Sequence, residues 1–102
     1  MNLNNFYSIY IPALEKALES DDVNYGFYVK DPSDYIQCSS DELKEIEIFL
    51  DKISGENNFL DKVAYYFDAK SHNFPNIQGI EIEDYKEIIK KEIIALKKEY
   101  NL

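Results

Sequence analysis

Apolar and polar positions repeat with a helical period over most of this chain. The clearest stretch runs from Ser39 to Gly55, SSDELKEIEIFLDKISG. Within it Leu43, Ile46, Leu50 and Ile53 recur at intervals of three, four and three residues, the apolar stripe of a helix that faces a core. Ser39 and Glu42 stand at the S-x-x-E spacing of a capping box, which satisfies orphan amides at a helix start. Gly55 falls where a left-handed residue closes a helix. At about 100° per residue, Asp41, Glu45, Ile48 and Lys52 point away from the stripe. An isoleucine therefore stands in the middle of an acidic outer face. This self-contained unit is the one around which the sequence arranges the rest.

Before it, Leu3, Phe6, Tyr7, Tyr10, Leu14, Ala17 and Leu18 fall on one helical face. Pro12 interrupts that helix, removing one hydrogen bond and crowding the carbonyl of Ser8. Either a kinked helix runs through, or Pro12 opens a second one at its first turn. From Asp21 to Cys38 the period changes, with Val23, Tyr25, Phe27 and Val29 alternating with more polar residues as in a strand. Asp31-Pro32-Ser33-Asp34 has type I turn chemistry, and folding there pairs Val29 with Ile36 and Phe27 with Cys38. An ordered loop packed by its aromatics is the competing reading. Beyond the central unit, Asn57 or Asn58 can cap a helix whose apolar face is Phe59, Leu60, Val63, Ala64 and Phe67, with Tyr65 and Tyr66 on its flanks. Ser71 to Gly79 has loop composition, with Pro75 and Gly79 as breakers. In the last helix Tyr85, Ile89, Ile93, Leu96 and Tyr100 form the stripe. Its acids come first and its lysines last, as the helix dipole favours. The expectation is a mainly α, compact four-helix domain. Its helices fall at about 3–20, 40–54, 58–70 and 83–100, with an irregular or hairpin-like excursion at 21–38, and residues 1–102 form a single domain.

Composition narrows the function. Twenty acids oppose eleven lysines and no arginine, for a net charge of −9, which disfavours nucleic acid and anionic membranes and favours basic partners. The charge is localised. From Glu15 to Asp61 there are thirteen acids and four lysines, a net −9, while the remaining seven acids and seven lysines cancel. Tyr25, Tyr28 and Tyr35 are interleaved with those acids. Carboxylates steer a cationic partner in and tyrosines supply rigid contact area.

Reactive chemistry finds little support. The single cysteine, Cys38, excludes an internal disulfide and suits a reducing compartment. No apolar run reaches the roughly 18 residues of a membrane span, and no signal peptide opens the chain, so a cytoplasmic location is expected. Metal ligands do not cluster, since His72 and Cys38 are single and far apart. Asp22-Val23-Asn24-Tyr25-Gly26 begins like a calcium loop, but Phe27 stands at the sixth position and Ser33 at the twelfth. Cys38 with His72 lacks the cationic or helix-start setting of a nucleophilic pair. The expectation is a non-enzymatic protein without metal or cofactor.

The acidic second helix and the adjacent Tyr65-Tyr66, followed by a loop with Pro75 and a final amphipathic helix, resemble small bacterial immunity proteins. These are cytosolic antidotes to a cell's own nuclease toxin, as in the colicin DNase group. Immunity families that guard against contact-dependent inhibition toxins are similar in size and charge. In the colicin group the tyrosine pair precedes proline, whereas Phe67-Asp68 follows it here, and the Val23–Cys38 segment has no counterpart. The resemblance implies an acidic inhibitor that occludes the active site, or an adjacent exosite, of a basic nuclease toxin. The binding surface expected is Asp21, Asp22, Tyr25, Tyr28, Asp31, Asp34, Asp41, Glu45, Ile48, Tyr65 and Tyr66. The inhibitor would be a monomer or weak homodimer without nucleic-acid or membrane partners. Two other classes fit the same charge: a phage-type nucleic-acid mimic that blocks a nucleic-acid-binding effector, and a helical homodimeric adaptor or regulator with Ile48 or the last helix as its seam.

Overall fold

The structure, a computed structural model, describes residues 1–20 and 38–102. Among the described residues four helices are present, α1 (Leu3–Glu19), α2 (Ser40–Ile53), α3 (Asn58–Ser71) and α4 (Ile82–Glu99). Two short strands, β1 (Asn76–Ile77) and β2 (Ile80–Glu81), lie between α3 and α4. The hairpin or loop expected at 21–38 lies outside the described residues, apart from Cys38.

Helix starts follow local chemistry. The Asn2 side chain accepts the Asn5 amide at 2.8 Å and opens α1. At α2, Ser39 Oγ accepts the Glu42 amide at 3.2 Å and donates to Glu42 Oε1 at 3.2 Å. The capping-box residues are thus in place, with the Glu42 carboxylate bonded to the serine hydroxyl. Asn57, rather than Asn58, caps α3, taking the amides of Phe59 and Leu60 at 3.0 and 3.1 Å. Its Nδ2 donates to Tyr7 Oη at 2.7 Å, tying that cap to α1. Gly55 follows α2 at φ +81°, as its position predicts.

Pro12 sits inside α1, so one helix runs through. Pro12 and Ser8 are both exposed, and the carbonyl that loses its partner faces the solvent side of the helix. The cost of the proline is reduced because water can reach that site.

The core redistributes the weight assigned from sequence. Of the nineteen core residues described, eight come from α1 and one, Ile46, from α2. Phe6 stacks on Tyr10 with ring centroids 4.9 Å apart and meets Phe49 of α2 at 5.2 Å. The helix with the cleanest local signals is therefore a peripheral one, and α1 is central. In α2 the expected stripe is only partly buried, with Leu50 and Ile53 packed against the core edge. Leu3, expected inwards, is exposed in the first turn of α1. On α4, Tyr85, Ile89 and Ile93 are buried and Leu96 and Tyr100 pack beside them, as the period predicts.

The end of the Ser71–Gly79 stretch expected as loop, together with Ile80 and Glu81, forms a minimal antiparallel ribbon. Asn76 pairs with Glu81 and Ile77 with Ile80. The turn residues Gln78 and Gly79 have φ of +52° and +83°, both positive as a two-residue primed turn requires. Ile77 is buried, so the ribbon covers the core where α3 hands over to α4.

Burial pushes the phenols of Tyr7, Tyr66 and Tyr85 above the ordinary tyrosine range. Below pH 9 all three are neutral in both folded and unfolded chains. As pH rises through about 10, unfolded tyrosines lose their protons first, so the free energy of the unfolded state falls relative to the folded one and stability drops. We expect the urea midpoint to drop between about pH 9 and 11, and Tyr85→Phe to flatten that drop. An unchanged pH dependence in Tyr85→Phe would remove that phenol from the account.

Candidate acidic interaction surface

The outer face of α2 is built by its own period. Asp41, Glu45, Ile48 and Lys52 are all exposed, as the 100° rotation from the buried Ile46 dictates. Ile48 is 66% exposed, an unusual position for an isoleucine mid-helix. One turn to either side, Lys44, Glu45, Asp51 and Lys52 surround it. Asp41 lies beyond them on the same face. Glu42 and Glu47 are exposed at the sides. The helix as a whole carries five acids and two lysines.

Among the described residues no lysine neutralises these carboxylates. The ion pairs among the described residues are Lys62 with Glu92, Lys90 with Glu87, Lys97 with Glu15, and His72 with Asp68. None uses a carboxylate of α2. Glu15 behaves differently, because Lys97 of α4 holds it at 2.9 Å. It belongs to the acidic first three fifths in sequence but not to a free acidic surface.

The sequence-predicted contact residues separate into three groups. Asp41, Glu45 and Ile48 stand together on α2. Asp21, Asp22, Tyr25, Tyr28, Asp31 and Asp34 lie outside the described residues. Tyr65 and Tyr66 part company. Tyr65 is 52% exposed and Tyr66 is 1% exposed, because neighbouring helical residues diverge by about 100° and cannot share a face. Tyr66 meets Phe67 edge-on at 5.1 Å and has Lys70 Nζ 5.8 Å from its ring centroid. It is a core residue, buried away from the surface on which it was expected to meet a partner. Tyr65 is near enough to Tyr85 of α4 for its charge to raise that phenol further, whereas α2 reaches the core through Phe49 on Phe6. Sequence reasoning left out Asp51 and Lys44, which the same rotation places at the edge of the Ile48 patch. It also left out the exposed Phe74 and Ile94, which stand outside the acidic stretch.

Among the described residues the two reactive side chains, Cys38 and His72, are set in unreactive surroundings. Cys38 is half-buried, and desolvation together with the charge of Glu42 pushes its thiol up, away from the thiolate a nucleophile needs. His72 packs on Phe74 at 5.5 Å, with Nδ1 2.9 Å from the Asp68 carbonyl oxygen. Among the described residues no group of three potential ligands could hold a metal ion, and no helix is long and apolar enough to cross a membrane. No family model, curated protein or solved structure matches the chain.

Proposed function

We propose that this protein is an inhibitor of the immunity type, which binds a basic nuclease toxin through the outer face of α2 and blocks its substrate site or an adjacent exosite. One observation carries the reading: α2 presents Ile48 to solvent among carboxylates that take no lysine of the described residues as an ion-pair partner. Unpaired surface charge is available to steer a cationic surface in, and a projecting apolar side chain can fill a pocket once the surfaces meet. The protein does no chemistry of its own in this reading. It acts in the cytoplasm without cofactor, metal, nucleic acid or membrane. Lys44 and Lys52 beside Ile48 speak against a nucleic-acid mimic, whose face would repeat negative charge like a phosphate backbone.

Capture on the immobilised protein tests this, with Asp41→Lys/Glu45→Lys as the control surface. A basic nuclease held by the parent, inhibited by it, and lost from the doubly reversed protein is the expected result. A nuclease retained equally by both places the contact elsewhere.

A further inference from the structure

The groove between α1 and α4 carries a pattern that the face of α2 leaves unused. Ile94, on α4, is 67% exposed, the highest value among the exposed large apolar residues described. Beside it lies a cavity of about 240 Å³, with Glu15, Leu18 and Glu19 on the α1 wall and Lys90, Ile93 and Lys97 on the α4 wall. The two walls have opposite sign and an apolar floor. The helices run in opposite senses, since Asn4 donates to the Tyr100 carbonyl at 2.8 Å while Glu15 meets Lys97 and Glu19 shares the cavity with Lys90.

A wholly acidic occupant would be repelled by the α1 wall and a wholly basic one by the α4 wall. What fits is a surface with both signs in mirrored order, and a second copy of this chain has one. A two-fold axis along the groove lays α1 of one copy over α4 of the other. Glu19 then faces Lys90 of the second copy and Glu15 faces Lys97, each contact occurring twice, as an isologous interface requires. The two internal Glu15–Lys97 pairs close into an alternating ring of four charges. Each Ile94 points towards the apolar floor of the opposite copy. We propose that the protein self-associates through this groove. Phe6, where α2 docks, and Glu15 are nine positions apart, about two and a half turns of α1, and so face opposite sides of that helix. The dimer therefore leaves the face of α2 open, and the proposal stands or falls independently of the inhibitor reading.

Sedimentation velocity at 0.15 M salt, where screening confines the repulsion between the two net-negative copies to about 8 Å, is the test. From about 10 to 500 µM the parent should pass from monomer towards dimer, a weak homodimer on the affinity scale. Ile94→Asp should remain monomeric with an unchanged melting curve, because the side chain is exposed. Glu19→Lys should weaken association about tenfold or more, and adding Lys90→Glu should restore it. A parent that stays monomeric throughout overturns the proposal. So does a dimer that survives Ile94→Asp, or one dissolved by Ile48→Asp instead.

Discussion

Ile46→Ala should cost about 2–5 kcal/mol, the range for truncating a fully buried aliphatic side chain. Against a domain stability of about 5–15 kcal/mol this is a large share. The reason is where α2 sits. Ile46 is its one core residue, while Phe49, Leu50 and Ile53 are only partly covered. Removing the anchor leaves a fourteen-residue helix held by its edge contacts and its Ser39 cap. Isolated helices of this length are marginal in water. We therefore expect Ile46→Ala also to break the coincidence of unfolding probes, with helical signal lost before the aromatic core around Phe6 and Tyr10 melts. Urea titration followed by far-ultraviolet and tyrosine signals checks this. A coincident transition shifted by less than 1 kcal/mol would show that α2 is held by something other than Ile46.

Ile48→Asp should do the opposite. Its side chain is exposed, so stability should stay within about 0.5 kcal/mol of the parent. Affinity for a basic partner should fall by at least about 2 kcal/mol, near 30-fold, as for an apolar anchor at the centre of an interface. Titration calorimetry with the inhibited nuclease separates this from a pure charge effect. An added carboxylate would slightly favour a basic partner by Coulomb attraction alone, so weaker binding would report the lost apolar contact. Tighter binding would make Ile48 a bystander on a charged face.

Much of this architecture is written locally. The boundaries of α2 follow from Ser39, Glu42 and Gly55, and the stripes of α1 and α4 from a period that tertiary packing reinforces. What local signals do not encode is rank. Capping chemistry fixes where a helix begins, whereas depth in the core depends on how many neighbours flank it. The Phe6, Tyr7 and Tyr10 cluster makes α1 central. The ribbon at 76–81 is too short for alternation to be read, and Gln78 is a weak turn residue beside the usual asparagine or aspartate. The site was legible to the same degree: rotation around α2 exposes Ile48 and Asp41 as read. The same rotation, not applied to Tyr65-Tyr66, separates a pair that looks like a unit in the sequence. Glu15 shows the remaining gap, because its neutralisation by Lys97 is a contact across 82 positions.

The proposal depends on the carboxylates of α2, which pair with no lysine of the described residues, steering a basic partner in. Stopped-flow association rates across ionic strength, for the parent and for Asp41→Lys/Glu45→Lys, test it most directly. The parent should associate at least about tenfold faster at low salt, and its rate should fall steeply as salt is added. The doubly reversed protein should be slow, with a shallow dependence. Equal rates and equal salt slopes for the two proteins would contradict the account.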